Sequence, residues 1–121
     1  MNMINYIYAF ILGYVFGCFQ TSYFLSKKFI KKDIRNMGSG NAGASNVTSE
    51  MGWKFGMITA ILDILKAYIP VKLTLIIFPT INQQFELMVI AGMAAILGHI
   101  FPFFLKFKGG KGIASYLGML L

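Results

Sequence analysis

No charged side chain precedes Lys27, and residues 4–25 form an apolar stretch of the ~20 residues needed to cross bilayer hydrocarbon. The stretch lacks the basic leader and small-residue cleavage site of a signal peptide and is longer than a typical h-region, so it reads as a first membrane span. Two more apolar runs follow, residues 56–78 and 87–104, turned by Pro79 and an NQQ segment. Composition agrees: 57% of the 121 residues are hydrophobic and 12% charged, against roughly 25% charged in an ordinary globular domain. With a mean hydropathy of +0.68, the chain reads as neither a soluble domain nor a disordered one. The predicted class is all-α, a polytopic transmembrane helical protein with three full spans and the start of a fourth at Ile113. From there to Leu121 a helix reaches about 13.5 Å, under half of a ~30 Å hydrocarbon core, so the chain is expected to be part of a longer protein.

The net charge of +7 is unevenly placed. Lys27, Lys28, Lys31, Lys32, Arg35 and Lys54 lie in the first connection, residues 26–55, and Lys106, Lys108 and Lys111 in the last. Basic residues collect on cytoplasmic loops, which predicts that both basic loops are inside and that the N-terminus and residues 79–86 are outside. Charge flanking apolar spans points to lipid headgroups or phosphorylated ligands, not to nucleic acid. One His, one Cys and four scattered acids form no metal-ligand pattern, and no metal or other cofactor is expected. Cys18 has no partner for an internal disulfide.

Gly38, Gly40 and Gly43 satisfy the spacing of a dinucleotide fingerprint, but they follow a lysine-rich loop instead of a buried strand, so that motif is rejected. What remains is a loop whose glycines, with Ser39, Asn41 and Asn46, allow backbone amides to converge on an anion. The alternative is a plain membrane-surface turn. The second loop, FKGGKG, places Lys108, Gly109, Gly110, Lys111 and Gly112 before a helix start, where free amides, a favourable dipole and two ammonium groups suit phosphate. It is not a Walker A loop, since Leu105 and Gly112 stand where glycine and Ser or Thr are required. The alternative there is a basic membrane anchor; two such loops on one side suggest a shared pocket. Asp63 and Lys66 share a helix face inside the second span, as a functional pair or a structural ion pair. Lys72, nearer the outer end, snorkels. His99 is a candidate proton acceptor or phosphate ligand, or a hydrogen-bonded helix-end histidine above Pro102. Gly13 and Gly17 form a GxxxG pair suited to close helix packing, within the chain or in self-association.

Three blocks, DIRNMGSGNAGASN, LDILKAYIP and GHIFPFFLKFKGGKGIAS, resemble the PlsY family of bacterial membrane glycerol-3-phosphate acyltransferases. The resemblance runs in order from about Gly13 to the last residue. It implies that residues 1–121 are one membrane domain, the N-terminal part of such an enzyme without its C-terminal spans, in the bacterial cytoplasmic membrane. It implies acyl transfer from acyl phosphate to the 1-hydroxyl of glycerol 3-phosphate, giving lysophosphatidic acid and phosphate with no cofactor. By the same resemblance Ser39 matches the functional serine, Asn41 and Asn46 its polar neighbours, and Lys108 and Lys111 the phosphate-binding block; Asp63, Lys66 and His99 match positions of less defined role. The family pattern has arginine where this chain has Ser49, and Ser45 and Ala67 replace threonine and glycine. With the C-terminal spans and that arginine both absent, the isolated chain is expected not to turn over. A non-catalytic phosphate- or headgroup-binding protein, or a partner subunit of a full-length acyltransferase, is the second reading; a small channel or transporter subunit is the third.

Overall fold

The computed structural model describes residues 3–78 and 82–121, which contain helices and no strands. The turn expected at Pro79 lies outside the described residues. The helices are α1 (Met3–Gly17), α2 (Thr21–Phe29), α3 (Ala44–Met51), α4 (Trp53–Ile77), α5 (Gln84–Ile100) and α6 (Ile113–Leu120).

Burial is inverted relative to a water-soluble protein. Along α4, Ile58, Ile61, Leu65 and Ile69 are exposed, while Thr59, Asp63, Lys66 and Thr74 are buried. An apolar outside around a polar inside is what lipid as solvent favours, because charges are then the groups that must find partners within the protein. Two segments, Met3–Phe29 and Gln84–Leu105, are long and apolar enough to cross a membrane.

Helix α5 is the central post. Its Ala91, Ala94 and Ala95 are fully buried, and α1 lies against them with glycine at each closest approach. A Cβ at Gly13 or Gly17 would strike the backbone of Ala91 or Ala95, and one at Gly98 the backbone of α1. The GxxxG face considered for self-association is therefore filled by α5 of the same chain. Small residues on both helices let the backbones approach closely, where dispersion contacts replace the hydrophobic effect that lipid cannot supply. Gly118 seats α6 on Ile64 of α4 in the same way.

The first apolar stretch departs from expectation in one respect: it is two helices, not one. α1 ends at Gly17, Gln20 is extended (φ −103°, ψ 92°), and α2 begins at Thr21. The break frees backbone groups that lipid could not satisfy. The Phe19 carbonyl accepts from Lys66 Nζ at 2.7 Å, and the Gln20 side-chain amide donates to the His99 carbonyl at 2.8 Å. The run Gln20, Thr21, Ser22 inside an otherwise apolar stretch is the sequence signal of that break. α2 buries its serines toward the first loop: Ser22 Oγ donates to the Ala42 carbonyl (2.7 Å) and Ser26 Oγ accepts from Ile34 N–H (3.1 Å).

Candidate functional site

The first loop is organised by a buried amide. Asn46 Nδ2 donates to the carbonyls of Asn41 (2.9 Å), Met37 (3.0 Å) and Ile34 (3.3 Å), and its Oδ1 accepts from Ser39 N–H (3.2 Å). Asn46 thus shapes the loop from beneath; it does not line the cavity between the loops. Beside it, Ile34, Ala42 and Val47 form an apolar plug. Gly38 (φ +53°) and Gly40 (φ +79°) take the left-handed turns that such a tight wrap demands. Ser39 sits exposed at the tip, its Oγ accepting from Asn41 N–H at 3.3 Å.

The second loop folds back on α5. Gly109 N–H donates to the Ile100 carbonyl (2.9 Å) and Gly110 N–H to the His99 carbonyl (3.1 Å). These amides, expected from the sequence to face a phosphate, instead satisfy the carbonyls that a helix C-terminus leaves without intrahelical partners. Gly110 lies directly on the His99 ring, where a Cβ would collide with Nε2. Gly112 (φ +85°) then turns the chain into α6.

The two loops meet around a cavity of about 270 Å³. Asn41, Gly43 and Ser45 line it from the first loop and α3, Asp63 from α4, His99 from α5, and Lys111, Gly112 and Ala114 from the second loop and α6. The N-termini of both α3 and α6 open here, and neither cap, Gly43 or Gly112, bonds its helix through a side chain. The first turns of two helices and Lys111 therefore line one space, an arrangement suited to an anion. Lys108 does not join them. It lines a second recess of about 500 Å³ with Arg35, Asn36, Gly40, Lys106 and Gly109. Gly38 and Ser39 line neither cavity.

Beneath the first cavity, Asp63, Lys66 and His99 form a buried set. Lys66 Nζ is 3.2 Å from Asp63 Oδ1 and in contact with His99 Nδ1. Asp63 Oδ1 is close enough for charge attraction yet makes no hydrogen bond. Ser115 Oγ ties α6 to the group through the Asp63 carbonyl at 3.2 Å. With the ammonium donating to Nδ1, a neutral His99 ring carries its proton on Nε2. That nitrogen lies on the side of the ring covered by Gly110.

Arg35 was not singled out as a site residue by sequence. Its Nε and Nη2 bond the Asp33 carboxylate (2.6–3.1 Å), and its Nη1 donates to the carbonyls of Leu105 (2.8 Å) and Lys108 (3.1 Å), joining the two loops. Its guanidinium also lies 5.3 Å from the Tyr23 ring. The only sequence signal was the D-x-R spacing. Hydrogen bonding from Arg35 holds the Asp33 carboxyl below its ordinary value of 3.8. Such a group contributes its stabilisation fully above the ordinary value and loses it as pH falls through the depressed one. Denaturant melts of the chain should therefore weaken on acidification below about pH 4, with Asp33→Asn removing part of that acid limb; an unchanged limb would count against the pairing.

A helical chain with an apolar exterior, a charged interior and two apolar segments of spanning length defines a helical membrane protein. The chain belongs to the glycerol-3-phosphate acyltransferase family, whose model matches residues 7–121. It is 43% identical over 121 residues to Glycerol-3-phosphate acyltransferase 2 of Lactobacillus johnsonii, covering 100% of this chain and 55% of the relative. It is 41% identical over 116 residues to the Glycerol-3-phosphate acyltransferase of Pelagibacter ubique, covering 96% and 58%. Among solved structures, PlsY (YgiH), described as an integral membrane glycerol 3-phosphate acyltransferase, matches in its glycerol 3-phosphate form with a TM-score of 0.81 and 37% identity, over 95% of this chain and 56% of that one. Its lysophosphatidic acid form matches with a TM-score of 0.78 and 36% identity. The chain spans about half the length of the curated relatives it matches.

Proposed function

We propose that this chain supplies the phosphate-holding part of an acyltransferase that moves a fatty acyl group from acyl phosphate to the 1-hydroxyl of glycerol 3-phosphate. The observation that carries the reading is the convergence of two helix N-termini and Lys111 on one cavity. In the reaction the hydroxyl oxygen attacks the acyl carbon, the bond from that carbon to the phosphate oxygen breaks, and inorganic phosphate leaves with the electron pair. The leaving phosphate can accept the hydroxyl proton, so the protein's tasks are alignment and oxyanion stabilisation rather than covalent catalysis. In this scheme Lys111 and the α3 and α6 amides hold phosphate, with Asn41, Gly43 and Gly112 shaping their approach. His99 donates through Nε2; Ser39, exposed at the loop tip and outside both cavities, takes its role from the family resemblance alone. Lys108 serves a second anion in the neighbouring recess, bordered by Gly40 and Gly109. Gly38, Asn46 and Gly110 set the loop geometry, and Asp63 and Lys66 support His99.

The reading places three spans and the start of a fourth in a bacterial cytoplasmic membrane, with the N-terminus outside and both basic loops in the cytoplasm. α4, 25 residues long, would be the second of these spans; at 1.5 Å per residue it reaches about 37 Å, and its exposed isoleucines support a lipid-facing side.

Ser49 favours keeping a second reading, phosphate or headgroup binding without transfer. It is exposed and lies one helical turn beyond Ser45, which lines the cavity. An arginine there could grip phosphate with two hydrogen bonds, which serine cannot. Glycerol 3-phosphate binding to the chain in lipid nanodiscs separates these outcomes when read beside acyl transfer. Lys111→Ala is expected to weaken binding by tenfold or more, about 1.4 kcal/mol, and Ser49→Arg to strengthen it by a similar factor. Binding that ignores Lys111 would remove the cavity from the mechanism, while binding without transfer would select the second reading.

A further inference from the structure

The second loop is rich in glycine, yet its sharpest backbone falls elsewhere. Lys106 (φ 57°) and Phe107 (φ 60°) are consecutive left-handed residues with side chains, whereas Gly109 and Gly110 do not adopt positive φ. Non-glycine residues in this conformation are unfavourable and persist where their surroundings over-determine them. Two bonds come from the loop itself: Phe107 N–H to the Pro102 carbonyl (3.0 Å) and Lys108 N–H to the Leu105 carbonyl (3.2 Å). Two more come from Arg35, whose Nη1 grips the Leu105 and Lys108 carbonyls, the groups immediately before and after the left-handed pair. Arg35 is itself fixed by Asp33, which also caps the one-turn helix at Ile34–Asn36.

We propose that Arg35 is the positioning residue of the second loop: anchored by Asp33, it clamps the left-handed turn at Lys106 and Phe107 and so directs Lys108 into one recess and Lys111 into the other. The clamp depends on a guanidinium fork that reaches a carboxylate on one side and two carbonyls on the other. A lysine ammonium, whose three donors share one nitrogen, cannot span the carboxylate and both carbonyls at once. The proposal deepens the phosphate-binding reading, because the lysines so aimed are the ones assigned to anions.

The test is amide hydrogen exchange of residues 102–112 in the full chain in nanodiscs, without phosphate or turnover, so that an inactive chain leaves the result intact. Arg35→Ala should speed exchange at Phe107 and Lys108 by about tenfold or more, as local opening becomes easier, and Arg35→Lys should come close to it. Adding Phe107→Gly to either variant should recover most of the protection, because glycine adopts positive φ without strain. A change that merely loosened the fold would not be repaired by glycine at that one position. If Arg35→Ala fails to fold, the Arg35→Lys pair carries the comparison. Exchange unaffected by losing Arg35, or raised but not recovered by Phe107→Gly, overturns the proposal.

Discussion

Lys66→Ala is expected to destabilise the chain by about 3–5 kcal/mol, the range for breaking a buried ion pair by removing one partner. The substitution leaves three groups unanswered at once: the Asp63 carboxylate, His99 Nδ1 and the Phe19 carbonyl exposed by the break between α1 and α2. Asp63, Lys66 and His99 are all buried, so the stranded carboxylate is costly to leave unpaired. Asp63→Asn should be milder, because Lys66 keeps its carbonyl and imidazole acceptors, and Asp63→Asn added to Lys66→Ala should recover part of the loss by removing the stranded charge. Reversible unfolding in mixed micelles checks this. A loss under about 1 kcal/mol for Lys66→Ala, the size of an exposed pair, would mean that the lysine is not the keystone of the broken helix.

Gly17→Val is expected to be the next largest effect, about 3 kcal/mol or somewhat more, at the upper end for overpacking. The added Cβ would meet the Ala95 carbonyl and backbone rather than a side chain able to swing aside, so α1 and α5 must separate along their length. Ala95→Gly should give no rescue, because the obstruction is main chain. Recovery in that double variant would show that the helices meet through side chains and that the glycine is dispensable. Gly13→Val, one turn earlier against Ala91, should behave in the same way.

Both effects trace to features the sequence announced only in part. Gly13 and Gly17 marked a close helix contact, but the partner, α5, lies more than seventy residues away in the chain. The pairing of Asp63 with Lys66 followed from three-residue helical spacing; the addition of His99 and the Phe19 carbonyl did not, because those contacts span 33 and 47 residues. Glycine, lysine and phosphate chemistry led to the two loops sharing a cavity, and they do so through Asn41, Gly43, Lys111 and Gly112. The same reasoning treated Gly109 and Gly110 as anion donors, since nothing local reveals that the end of α5 needs their amides.

Local chemistry alone determined where the chain is apolar, where it is charged and which turns are glycine-rich, because helix period, hydropathy and basic clusters are properties of neighbouring residues. Tertiary structure alone decided that Lys66 and the His99 carbonyl answer the break at Phe19 and Gln20, that Arg35 bridges the loops, and that Lys108 and Lys111 part company. Those outcomes depend on which buried carbonyl or carboxylate comes within reach of which donor once the helices have packed.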